Sequence, residues 1–240
     1  RNQIQFDSEL KSLDLESGDI TLCGSGEDQF GNVSFSLSCA EKVRPAFNLA
    51  TALLHSFEYV EAEKVFAKVI DEDPECIMAY WGAAMSNFHP LWAAPTPDEL
   101  QKGSMIVALA RSVNNGKSSR ESDYLETIAT IYDDWNTLDH RTRILKFEKA
   151  SEDLYAKCPE DNEAGIFYAL ALSAAADPAR EPGGSHEGRL DARGGHPDAD
   201  RFRPARIDRR AAAHRQDDPA AKHRQLDFGE QPGGEIDPLA

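Results

Sequence analysis

The sequence predicts an all-α fold for residues 41–178, and three observations carry the prediction. Apolar residues recur at steps of three and four from Glu41 to Ala176, the spacing that lines one face of a helix. Prolines and capping residues cut this pattern into pieces of helical length. The pattern also returns on itself at an offset of 34 residues, pairing Phe47 with Trp81, Ala50 with Ala84, Leu54 with Phe88 and His55 with His89.

Residues 1–40 stand outside the pattern. The first 22 are polar and poorly periodic, which predicts an extended or loosely ordered lead-in. Val33 to Ser38, "VSFSLS", alternates apolar and polar residues and predicts one short strand. Cys23 and Cys39 flank this segment. A disulfide between them would close the loop and contribute about 3 kcal/mol in the loop-entropy model; two unrelated thiols are the alternative. Cys76 and Cys158 fall in helical patterns, where a thiol packs as an inert side chain. No CxxC pair is present, so no zinc knuckle is expected.

The helices follow in order. Val43, Phe47, Ala50, Leu54 and Phe57 define the first, and Ala62, Val65, Phe66, Val69 and Ile70 the second. "DEDP" ends the second, because Pro74 cannot continue a helix but suits the first turn of the next, with Asp73 placed to cap it. The third helix carries Met78, Trp81, Met85 and Phe88 and breaks at His89-Pro90. Thr96 to Glu99, "TPDE", is a capping box with proline at the first helical position and opens a helix to about Ser112. "NNGK" is a turn, and Ser118 to Glu121 is a second capping box whose helix runs to Trp135. Asp139 caps a helix to Lys157, Pro159 punctuates, and "EAGIFYALALSAAA" supplies the last.

The offset of 34 residues is the period of a two-helix repeat, and the residues resemble the tetratricopeptide motif. Leu49-Ala50 stands where that family has a large-small pair, and Ala62, Phe66 and Pro74 match its Ala, Phe and Pro. Tyr80 and Ala84 restart the motif, and "PEDNEAGIFYALA" echoes it again from Pro159. "HPLWAAPTP" interrupts the regular pattern. Taken whole, "LLHSFEYVEAEKVFAKVIDEDP" with "AYWGAAMSNFHPLW" is similar to the N-terminal part of larger bacterial, exported tetratricopeptide proteins of unassigned function.

The resemblance implies an α-solenoid of helix hairpins that acts as a scaffold for a protein or peptide. It places a ligand groove on the first helix of each repeat: Arg44, Phe47, Thr51, Leu54 and His55, then Met78, Trp81, Met85, Phe88 and His89. The competing reading is that the aromatics pack between repeats and the histidines satisfy helix ends. It also implies export, with a cytoplasmic location as the alternative. A second function stands beside binding: the helical part of a larger exported enzyme whose catalytic residues are not in this chain.

The remaining chemistry is thin. "DEDPE" and "YDDW" lie at helix ends, where acidic side chains cap or face water, and neither GxSxG nor a P-loop is present. Neither enzymatic catalysis, a cofactor nor a metal is expected from the residues present. The formal charge of -16 sets nucleic acid aside as a partner. The longest nearly apolar run, Ile166 to Ala176, is about half of what a bilayer crossing needs, so no membrane insertion is expected.

From residue 179 the composition changes. Residues 179–240 hold ten Arg and one Lys with eight Gly and six Pro, too little apolar surface to offset the entropy of ordering, and predict disorder. Either this is a natural disordered tail or the reading frame slips near Ala179, since Arg, Ala, Gly and Pro are what GC-rich codons give out of frame. The last helix then presents an apolar face with no capping helix after it, and self-association through that end is expected.

Overall fold

Phe6, Leu10 and Leu13 stand at steps of four and three, and this stripe is enough to fold a helix where the sequence suggested a loose lead-in. Helix α1 runs Gln3–Ser12, and Phe6 and Leu13 are buried against the body. The computed structural model describes residues 3–20, 30, 31, 33, 35–114 and 119–176. Cys23, Ser118 and the tail from residue 177 lie outside the described residues, and with them the expectations of tail disorder and of a shifted frame.

Among the described residues seven further α-helices follow: α2 Arg44–His55, α3 Tyr59–Glu72, α4 Ile77–Ser86, α5 Pro97–Val113, α6 Ser119–Tyr132, α7 His140–Lys157 and α8 Asn162–Ala175. Local chemistry sets their ends. Thr96 Oγ1 accepts from the Glu99 N–H while Glu99 accepts from the Thr96 N–H at 2.7 Å, so the first capping box forms as read. Asp139 accepts from the Thr142 N–H at 2.9 Å and starts α7. Asp161 accepts from the Glu163 and Ala164 N–H groups and starts α8. Several boundaries differ from expectation: α2 ends at His55 with Phe57 beyond it, and α4 starts at Ile77, past Pro74, and ends at Ser86 with Phe88 beyond it. Helix α6 stops at Tyr132, before Trp135, because Arg143 donates to the carbonyls of Trp135 and Leu138 and holds that segment as a turn. Asp73 does not cap α4; its carboxylate instead accepts from the Ala40 N–H at 2.8 Å.

From α2 to α8 each helix packs on the next along the chain, and α4 also packs on both α2 and α6. The shared core is fully buried at Phe47, Phe66, Tyr80, Phe88 and Ile128, each stabilising by about 1.5–3 kcal/mol. Small residues sit where helices come closest: Ala50, Ala62 and Ala84 are wholly buried. Gly103 on α5 leaves the space through which the Tyr132 ring passes; a β-carbon there would meet the ring at 2.0 Å. The Tyr132 hydroxyl then donates to the Ala84 carbonyl at 2.6 Å, tying α6 to α4.

The expected strand at Val33–Ser38 does not form, and no strand occurs among the described residues. Residues 35–40 are instead a strap without regular structure that bends at Ser38 and Cys39 as it crosses the helices, with Phe35, Leu37 and Cys39 buried and Ser36, Ser38 and Ala40 exposed. Alternation read as a strand face is the alternation of an extended chain on a helical surface. The disulfide expectation is corrected too. Cys39 bonds Cys76, at a Cα separation of 4.9 Å, and so is not available to Cys23. Pairing with Cys76 became feasible because the strap crosses the joint between α3 and α4.

Candidate functional site

Helices α2 and α4 both give way to a residue with a left-handed backbone: Phe57 at φ 62° and His89 at φ 49°. At α2 the Glu58 N–H donates to the Leu53 carbonyl and the Phe57 N–H to the Leu54 carbonyl. That is the Schellman arrangement, with phenylalanine at the position glycine usually takes. A β-carbon in this conformation costs about 1–2 kcal/mol. The strained turn aims the Phe57 ring outward, where it meets Trp92 edge-on at 5.8 Å.

Trp92 comes from the loop 87–96, the interruption in the repeat pattern, and is 69% exposed. Phe57, Val60 and Leu91 around it are also exposed. Tyr59, at the start of α3, lies 4.7 Å from the His89 ring and links Phe57 to it. Burial pushes the Tyr59 phenol up to about 12, with the Trp92 contact acting weakly the other way, so Tyr59 stays a neutral hydroxyl at physiological pH.

Against this aromatic edge lies a cavity of about 270 Å³ between the end of α2, the start of α3 and α8. Leu54, Met85, Ile166, Phe167 and Leu170 supply apolar walls, and His55, Tyr59 and Ser173 its polar groups. His55 Nε2 donates to Glu163 Oε2 at 2.8 Å, and its ring stacks on Phe167 at 5.3 Å. A more open cavity of about 520 Å³ is lined by Trp92 itself with Phe57, Tyr59, Val60 and His89.

The ten groove residues read from the sequence separate in the structure. Phe47, Thr51, Leu54, Met78, Trp81, Met85 and Phe88 are buried and do not line an open groove. The strap covers the inner face on one side: Phe35 lies against Phe47 and Trp81. Helix α8 covers it on another: Phe167 meets Trp81 edge-on at 4.9 Å. Phe88 packs on Phe147 of α7 at 5.0 Å. Leu54, His55 and Met85 still share the cavity under α8. Arg44 turns to the strap and donates to the Leu37 carbonyl. His89 Nδ1 lies 3.5 Å from Glu99 Oε1, so each histidine has its own glutamate. Among the described residues, the one grouping of three metal-ligand types is Cys39, Asp73 and Cys76, and its two sulfurs are bonded to each other.

Periodicity placed Phe57 on the apolar stripe of the first helix, where the structure has it exposed beyond the helix end, and did not mark Tyr59, Trp92 or Phe167. The signal for Trp92 was present: a tryptophan in a Pro-rich interruption has no helical face to pack on. Phe57 and Phe167 depend on backbone conformation and on which helix returns to α2, and nothing local encodes either. Compared with protein-family models, curated proteins and solved structures, the chain matches none.

Proposed function

We propose that the chain is a binding module: a tetratricopeptide-like stack of helix pairs that docks a protein or peptide partner on the edge formed by Phe57, Tyr59, His89 and Trp92. The single observation that carries this reading is the exposed Phe57–Trp92 pair beside an apolar cavity, with Phe57 held there at the cost of a left-handed backbone. Aromatic side chains with one free face supply large contact area at low entropy cost, and strain kept at a surface position marks a place where the side chain matters. The packing of α4 on both α2 and α6, together with the residue motif, supports the repeat architecture. The Cys39–Cys76 disulfide supports an oxidising, exported setting. Among the described residues no helix is long and apolar enough to cross a membrane.

The test is affinity capture from native extract on the immobilised chain and on its Trp92→Ala variant. A partner retained by the first and lost from the second supports the reading. Retention of nothing beyond what an unrelated acidic protein holds overturns it. Ile166 and Leu172, exposed on α8, offer a second surface on which a further helix or another copy would stack. Sedimentation over a range of concentrations reads that out directly.

A further inference from the structure

Residues 35–38 sit on the helices as an extended peptide sits in a groove. Phe35 inserts between one ring from each of three helices: Phe47 on α2 at 5.5 Å, Trp81 on α4 at 5.8 Å and Tyr124 on α6 at 5.3 Å. The Arg120 guanidinium lies 4.9 Å from the Phe35 ring centre and closes the site. Backbone groups of the strap are met by side chains, not by another strand. Arg120 donates to the Ser36 carbonyl at 2.8 Å and Arg44 to the Leu37 carbonyl at 3.1 Å. Glu121 accepts from both the Ser38 N–H and the Ser38 hydroxyl at 2.6 Å. Arg120 is itself fixed by Asp161 at 2.6 Å. Main-chain recognition with pockets for alternate side chains is the general mode of extended-peptide binding. One covalent link, Cys39–Cys76, lies immediately beyond the seated residues.

We propose that the face formed by α2, α4 and α6 is a binding site for an extended peptide of pattern aromatic-polar-aliphatic-Ser, occupied in cis by Phe35–Ser38 and latched by the Cys39–Cys76 disulfide. A dithiol reductant opens the latch. Its thiolate attacks the sulfur of Cys39, the more accessible of the pair at 8% against 1%, and Cys76 leaves as thiolate. The second thiol of the reductant resolves the mixed disulfide and frees Cys39. The cysteine pair gains two electrons and two protons, and the dithiol becomes a disulfide. The strap is then held by noncovalent contacts alone, those above and the Ala40 N–H bond to Asp73, and exchanges with a peptide of the same pattern supplied in trans. This site is separate from the Phe57–Trp92 edge, so either reading stands if the other fails.

The experiment uses the full chain and a fluorescent peptide copying residues 33–40 with Cys39→Ser. Binding is followed by anisotropy in oxidised protein, in protein with excess small dithiol, and in the Cys39→Ser variant without reductant. The backbone tether to α2 keeps the strap competing in both states, and the disulfide adds a second attachment point that holds it in register, so the oxidised chain is expected to bind the peptide at least about tenfold more weakly than the reduced chain. The Cys39→Ser variant is expected to match the reduced chain, and a Phe35→Ala peptide to bind neither. Hydrogen exchange guards against simple unfolding: on reduction, the Ser38 and Ala40 amides lose protection while α2, α4 and α6 keep theirs. Equal affinity in both redox states overturns the proposal. So does loss of protection that spreads through the three helices, since the disulfide would then be a structural staple.

Discussion

The Phe66 ring of α3 lies where a side chain on Gly82 of α4 would begin: a β-carbon built on Gly82 would come within 2.2 Å of it. The ring is wholly buried and cannot step aside into solvent. Alanine normally favours a helix over glycine by about 1 kcal/mol, but overpacking a filled core costs about 1–3 kcal/mol. Gly82→Ala is therefore expected to lower stability, read as a lower urea midpoint with an unchanged slope. A raised midpoint would show that α3 and α4 are not in this contact.

Glu63 is almost fully buried, and three groups depend on it. Lys102 Nζ on α5 lies 2.6 Å away, and Asn87 Nδ2 and the Glu16 N–H each donate to it at 3.1 Å. Removing one partner of a buried pair strands the other, so Glu63→Ala is expected to cost about 3 kcal/mol. Glu63→Gln keeps most of the hydrogen bonding and loses the charge, and is expected to cost about 1.5 kcal/mol, the low end for a hydrogen bond to a charged group. The order of the two thermal midpoints checks this.

Phe57 offers a separation of stability from binding. Glycine adopts its left-handed conformation without strain, so Phe57→Gly is expected to leave stability unchanged or to raise it by up to about 1 kcal/mol. Partner capture is expected to fall at the same time. A variant that loses stability while keeping its partner would contradict the role given to this ring.

Asp161 sets an acid dependence. Burial alone would raise its carboxyl, but the hydrogen bonds from Arg120 and Tyr124 outweigh this and hold it below the ordinary value of 3.8. A depressed folded value means the unfolded chain takes up its proton first. Asp161 therefore contributes stability above the ordinary value, and that contribution is lost as pH falls through the folded value. Asn still caps a helix start, so Asp161→Asn removes the charge and keeps the cap. Melting curves between about pH 2 and 5 are expected to show a flatter acid limb in the variant. Parallel limbs would place the acid sensitivity elsewhere.

Much of the scaffold was legible in the residues. Thr96, Glu99, Asp139 and Pro97 mark helix starts because capping acts over three or four residues, a range that sequence encodes directly. Core positions such as Phe47, Ala50, Phe66 and Ala84 were legible because burial follows the helical period. The candidate site was far less so. His55 and Met85 line a cavity only because α8 returns across α2, and Phe167 comes from 112 residues beyond His55 in the chain. The "VSFSLS" alternation was read as a strand, which does not form; what it did mark is that Phe35 and Leu37 face inward while Ser36 and Ser38 face out.

What the sequence determined by itself is the seven helices α2 to α8, with their ends placed to within a few residues, and most of their apolar faces, since each depends on interactions within a turn or two of chain. What only the tertiary structure decided is which of those faces remain open. Pairing Cys39 with Cys76, seating Phe35 among three helices and leaving Trp92 exposed all depend on contacts between distant segments. Their geometry is fixed by how whole helices stack, and no local pattern of residue types carries it.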